Sequence, residues 1–242
     1  MTNHRRLPLL SLALTLLAAC GPELDLDEPG VIDPDTGEFV VAAAARVDMN
    51  RLLGDADLSG GAGVTVAQVQ AFLDRRGGPL RSYRDPAFNQ SAAHLIVAQS
   101  QAQGINPIYM LARIQTESSL VSQNLPANLP KATGCGCPDG GGCNQSYRGF
   151  GKQVECAARI VRGYLRDLDA GRPTVSGWRT GVAKSTSDPC RVTPANKATA
   201  ALYTYTPWVG AYANQCGKKT VGGSSLVASI YQSYRSDPAW SR

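Results

Sequence analysis

A mostly α-helical domain with disulfide-stapled loops is predicted by three observations on this 242-residue sequence. Apolar residues beyond residue 60 recur at three- and four-residue intervals, the period of one helix face. Runs that alternate apolar and polar residues, the mark of half-buried strands, are scarce. Six of the seven cysteines lie between positions 135 and 216, around segments where Gly, Pro and Asn interrupt the helical period. The 43% hydrophobic content excludes a disordered chain, the 18% charged content excludes a coiled coil, and the length suits one sizeable core.

The elements follow in order. Thr65 caps a first helix over 66–75, with Val66, Val69, Phe72 and Leu73 on one stripe and Gly77-Gly-Pro79 ending it. Ser91 opens a second through 103, with Leu95, Ile96 and Ala98 inward and Gly104 as its stop. Asn106-Pro107 begins a third over 108–120, since Asn caps well and Pro suits the first helical position. Residues 124–150, rich in Asn, Pro, Gly and Cys, read as loop. A fourth helix covers 153–168, with Val154, Ala157, Ala158, Val161 and Leu165 spaced for burial, and two more cover 195–203 and 224–234.

Before these elements, Arg5 and Arg6 precede the apolar run 7–19, too short to span a bilayer and suited to a signal peptide over 1–19. Its end, Leu17-Ala-Ala-Cys20, resembles the bacterial lipoprotein lipobox, in which the cysteine is acylated and becomes the first mature residue. That resemblance implies export and a lipid anchor on Cys20. Gly21 stands where enteric lipoproteins retained at the inner membrane carry aspartate, so the periplasmic face of the outer membrane is the expected location.

Residues 20–45 then read as an acidic flexible tether. The stretch 21–45 holds seven acids, no Lys or Arg, and Pro22, Pro29 and Pro34. The domain, 46–242, holds 22 basic and 12 acidic groups, a net +10. Such a domain is drawn to polyanions such as phospholipid headgroups or cell-wall carboxylates. An exported protein without zinc-finger, helix-turn-helix or RNA-binding motifs is not expected to bind nucleic acid.

Cys135, Cys137, Cys143, Cys156, Cys190 and Cys216 remain after Cys20, an even number that suggests three disulfides with fifteen possible connectivities. Cys190 and Cys216 bracket the helix over 195–203 and are expected to pair. Cys135-Gly-Cys137 with Cys143 imitates a zinc knuckle, but no histidine accompanies it, and no metal is expected. Asp55-Ala-Asp57-Leu-Ser59-Gly60 imitates the start of a calcium loop, yet Val66 stands where its bidentate glutamate belongs, which favours a simple turn. His4 and His94 are the only histidines, which leaves His94 alone for any Ser–His or Cys–His pair.

After the tether only Glu117 and Glu155 are glutamates. On the third helix Met110, Arg113, Ile114 and Glu117 share a face, placing the carboxylate at the edge of an apolar stripe, where partial burial would disfavour ionisation. A carboxyl so raised suits general acid work on a glycosidic oxygen. Spacing alone, however, more simply pairs Glu117 with Arg113 one turn back.

Gly104-Ile-Asn-Pro-Ile-Tyr-Met-Leu-Ala-Arg-Ile-Gln-Thr-Glu117-Ser118-Ser119-Leu120 resembles the catalytic-helix segment of lysozyme-like lytic transglycosylases, in which a helix ends in a single essential Glu, usually followed by Ser. Gly149-Phe-Gly-Lys-Gln153 is similar to the cleft-lining Gly-x-x-Gln element, one residue longer. Asn196-Lys-Ala-Thr-Ala-Ala-Leu-Tyr203-Thr-Tyr205-Thr-Pro207 resembles the later helix that ends in a cleft-facing tyrosine, and Val66-Ala-Gln-Val-Gln-Ala-Phe-Leu73 the leading helix of a subgroup. The likeness covers roughly residues 60–235. It departs at Tyr-Thr-Pro-Trp208, where the family carries Ala-Tyr-Asn-Ala-Gly, and at the cysteine-rich insert 135–143.

The resemblance implies a lysozyme-like helical domain that cleaves between N-acetylmuramic acid and N-acetylglucosamine without a cofactor, forming 1,6-anhydro ends. Glu117 is its expected acid and base, with Ser118, Gln153 and Tyr205 orienting the sugar and Tyr203 the competitor for Tyr205. Peptidoglycan strands are the implied partner, with the membrane reached through lipid and the protein monomeric. A hydrolase using Asp139 or Asp188 as second carboxylate, or a non-catalytic wall-binding lipoprotein, are the alternatives.

Overall fold

The computed structural model describes residues 47–137, 143–214, 216 and 221–241, and the backbone of 31–32 and 39–40. The signal segment, Cys20, most of the 20–45 stretch and Asp139 lie outside the described residues. Within that stretch Val31–Ile32 (β1) pairs antiparallel with Phe39–Val40 (β2), Val31 opposite Val40. The segment expected as a structureless tether thus holds one short pairing, formed where β-branched and aromatic residues flank Asp, Pro and Gly.

Helices dominate the rest. They are Asp55–Ser59 (α1), Val66–Arg76 (α2), Ala92–Ala102 (α3), Pro107–Ser118 (α4), Phe150–Asp169 (α5), Lys197–Tyr205 (α6) and Gly223–Arg235 (α7). Thr65 closes a capping box with Gln68, and Gly77 ends α2 in the left-handed conformation. Ser91 and Asn106 cap α3 and α4 as their positions predict, and Asn196 caps α6.

Three boundaries differ from the sequence reading. Helix α4 stops two residues early because Ser119 turns left-handed, at φ 56°. Helix α6 is displaced two residues toward the C-terminus. Helix α5 begins three residues early because Asp85, in the hairpin Arg84–Asp85 (β3) and Gln90–Ser91 (β4), accepts the Gly151 N–H at 2.9 Å. That carboxylate sits at the positive end of α5 and supplies a cap from far away in the chain. A third pairing joins Lys184–Ser185 (β5) to Arg191–Val192 (β6).

The calcium-like segment is α1 itself. Asp57 accepts the Gly54 N–H at 2.9 Å and the Tyr231 hydroxyl at 3.0 Å, while Asp55 accepts the Ala198 N–H at 2.8 Å. Its carboxylates join α1 to α6 and α7 rather than converging on an ion.

Helix α4 is the central element. It packs most extensively on α7 and also on α3, and nearly all of it from Pro107 to Gln115 is buried. The single apolar stripe expected from spacing understates this, because a helix covered on all sides carries apolar residues all round. Around it one hydrophobic cluster runs from Val47 to Ala239. At the base of α7, Gly210 passes so close to Gly222 that an added Cβ would lie 1.9 Å from the Gly222 carbonyl oxygen.

All six domain cysteines are paired: Cys135 with Cys156, Cys137 with Cys143, and Cys190 with Cys216. The last pairing is the one expected from their bracketing of α6. The first fastens the loop after α4 to α5, and the first two consume the sulfurs that a zinc knuckle at Cys135, Cys137 and Cys143 would need.

Candidate active site

The buried run of α4 ends by delivering two charged side chains in succession. Arg113 is fully buried, and its guanidinium meets Glu117 at 3.0 Å, the Thr206 hydroxyl at 2.7 Å and the Tyr109 hydroxyl at 3.1 Å. It also lies 4.2 Å above the Tyr205 ring centre, close enough for a cation–π contact. Burial alone would lower the Arg113 pKa, but Tyr109, Glu117 and Tyr205 together outweigh it, and the group is held firmly protonated.

Glu117 therefore sits at the edge of the apolar stripe with a cation beside it. Its side chain is 27% exposed and ion-paired with Arg113, the simpler of the two roles its spacing allows. One carboxylate oxygen faces Gly134, where an added Cβ would come within 3.5 Å.

Tyr203 and Tyr205 separate clearly. Tyr203 is fully buried, stacks on Trp178 with ring centres 4.9 Å apart and donates to the Met49 carbonyl at 2.9 Å. It belongs to the core, not to the site. Two residues further along α6, Tyr205 points to the Glu117 side and donates to the Thr133 carbonyl at 2.9 Å. On a helix a two-residue step turns about 200°, so the two rings cannot share a face.

Ser118 and Gln153 lie beside the site but serve its walls. The Ser118 hydroxyl lies 2.7 Å from the Ile114 carbonyl and 2.8 Å from the Ala132 carbonyl, so its one proton is held within the protein. Gln153 is 1% exposed. Its amide oxygen accepts from the Thr133 and Cys135 N–H groups, and its amide nitrogen donates to the Cys135 and Tyr147 carbonyls at 2.8 Å. Ser118 thereby holds Ala132, and Gln153 holds Thr133, Cys135 and Tyr147, so the polar atoms of both residues are engaged within the protein.

Beyond Glu117, Gly134, Cys135, Gly136, Cys137, Ile160, Tyr164 and Tyr205 line a cavity of about 260 Å³. Burial raises the Tyr164 and Tyr205 pKa values above the ordinary tyrosine range, so both hydroxyls remain protonated. The cavity offers apolar ring surface and backbone polar groups at glycines, one of which, Gly134, neighbours the Glu117 carboxylate, a mixture suited to the two faces of a sugar.

No family model matches this chain, and neither a curated protein nor a solved structure is detectably similar to it. Its chemistry is read from the residues alone.

Asp188 is unsuited to act as a second catalytic carboxylate. It is 6% exposed and accepts from the Thr186 hydroxyl at 2.6 Å and from the Val209 and Gly210 N–H groups at 3.0 Å. His94 is exposed on α3, away from any free thiol among the described residues. No group of three or more His, Cys, Asp or Glu converges among the described residues as a metal site would require. Sequence reasoning missed Gly134, Tyr164 and the central place of Arg113. The first two carry no spacing signal, whereas an arginine inside the apolar α4 run was a visible one.

Proposed function

We propose that this chain is an exported, lipid-anchored lytic transglycosylase of the lysozyme-like class. It cleaves the β-1,4 bond between N-acetylmuramic acid and N-acetylglucosamine, with Glu117 as acid and then base. One observation carries the reading: the Glu117 carboxylate, near the end of a buried central helix, lies beside Gly134 and pairs with the Arg113 that covers Tyr205, and Gly134 and Tyr205 both line a cavity.

In this reading a sugar resting against Tyr164 and Tyr205 presents its glycosidic oxygen to Glu117. Glu117 gives that oxygen its proton as the bond to C1 of the muramyl unit breaks. The muramyl 6-hydroxyl then bonds to C1 and returns its proton to Glu117, which closes the 1,6-anhydro ring without consuming water. Arg113 holds the carboxylate's orientation between steps and stabilises it while it is charged. Digestion of purified sacculi tests this: anhydro ends support the reading, and reducing ends would assign hydrolysis instead.

A non-catalytic wall-binding lipoprotein is the second reading, favoured by the Arg113–Glu117 pair and by the internal hydrogen bonding of Ser118 and Gln153. Sacculi left intact by a protein that binds them would decide for it.

A further inference from the structure

Helix α5 borders the cavity through Ile160 and Tyr164 and carries a second pattern on its outer side. Lys152, Arg159, Arg162 and Arg166 recur there at helical spacing, with Glu155 the one acid on the same stripe. Lys152 to Arg166 spans about 21 Å of helix axis. Among the described residues no hydrogen bond or ion pair engages the side chains of Lys152, Arg162 or Arg166. Arg159 touches Tyr147, its guanidinium 5.7 Å from the ring centre and 3.3 Å from the hydroxyl. The acids that follow are already engaged, Asp167 with Arg172 at 2.7 Å and Asp169 with Lys197 at 2.6 Å. Near the N-terminal end of α5, Gln153 of that helix shares the lining of a hollow of about 220 Å³ with two further cations, Lys131 and Arg148.

We propose that this basic face binds the carboxylates of peptide stems, so that the protein takes peptide-bearing glycan in preference to bare glycan. The choice of polymer rests on the glycan-cleaving reading above. Three features support it. Guanidinium groups match carboxylates with paired hydrogen bonds. The cations are spread along the helix rather than gathered at one point, which suits several anions hung from a strand. The helix that carries them also walls the cavity, so a strand seated there runs beside them. Exposed pairs are individually weak, and the preference comes from several acting together and fades with salt.

The test uses the full chain with Cys20→Ser for solubility and Glu117→Gln to prevent turnover, and measures binding to peptide-bearing strands and to strands stripped by an amidase. At low salt the parent should favour the peptide-bearing strands by about tenfold, as follows from a few weak exposed pairs acting together. Arg159→Gln, Arg162→Gln and Arg166→Gln together should bring that ratio to within about twofold and flatten its salt dependence. An Arg81→Gln control on another face should keep it, and matching circular dichroism spectra should show all variants folded. An unchanged ratio in the triple variant would overturn the proposal. So would a triple variant that loses binding only to phosphatidylglycerol vesicles, which would assign the face to membrane. If the parent discriminates between strands while the wild-type chain releases no product from sacculi, the cleaving reading fails and this one stands.

Discussion

At the residue scale Glu117 and Arg113 form one unit, because the cation that steadies the carboxylate is itself buried and has few other anionic neighbours. Glu117→Gln preserves size and hydrogen bonding but removes the transferable proton. It should reduce release of wall fragments by about a hundredfold or more while the protein stays folded, and lysis within a factor of a few of wild type would remove Glu117 from the mechanism. The two tyrosines of α6 give a paired comparison. Tyr203→Phe removes the hydrogen bond from its hydroxyl to the Met49 carbonyl and should cost about 1 kcal/mol in urea unfolding with no change in KM. Tyr205→Phe releases the Thr133 carbonyl at the cavity wall and should raise KM for glycan more than it lowers stability. The opposite assignment of effects would mean the rings have been placed on the wrong sides.

Asp188 supplies a prediction in pH. Burial pushes its carboxyl up, but hydrogen bonds from Thr186, Gly210 and Val209 outweigh burial and hold it below the ordinary carboxylate value. Since the folded value lies below the unfolded one, its stabilisation is fully present above about pH 4 and is lost as pH falls through the lower folded value. Asp188→Asn should be less stable than wild type at neutral pH and lose less on acidification. Unfolding curves at pH 7 and pH 3 that shift in parallel for both proteins would contradict this.

At the scale of elements, α4 sets the site and its neighbours set the walls. Residues 132–135 are held by Ser118, Gln153 and the Cys135–Cys156 bond, so their backbone is fixed where Gly134 and Cys135 line the cavity. The Cys190–Cys216 bond closes 26 residues around α6. Under the loop-entropy account a closure of this length contributes about 3 kcal/mol, so replacing both cysteines with alanine should lower the unfolding midpoint. Tyr205 hangs from the enclosed helix, and glycan cleavage should therefore fall as well. An unaltered denaturation curve would show that α6 holds its place without the bond.

At the scale of the whole molecule, charge separates the acidic N-terminal stretch from a basic domain. Attraction between them is screened over about 10 Å near 0.1 M salt. Deleting residues 22–44 while keeping Cys20 should reduce lysis of intact sacculi by the anchored protein. It should leave cleavage of isolated glycan chains by the soluble domain nearly unchanged. Equal losses on both substrates would make the segment part of the folded domain, a result to which the β1–β2 pairing gives physical interest. Further along the chain, Val47 forms a parallel bridge with Ala213.

Local chemistry by itself determined the six helices from α2 to α7, though not α1, whose segment reads as a turn, because caps such as Thr65, Ser91 and Asn106 and the apolar periods act within a few residues. It also determined that α6 would be bracketed by a disulfide and that Glu117 would be placed for either a free acid or a partner of Arg113. Only tertiary structure set the surroundings of that pair, since burial of Arg113 among Tyr109, Tyr205 and Thr206 depends on α6 packing near α4. It also moved the start of α5, because Asp85 reaches that helix from another part of the chain. Ser118 and Gln153 became supports of a loop for the same reason: a side chain's hydrogen-bond partners are set by what folds against it, and spacing along the chain does not encode them.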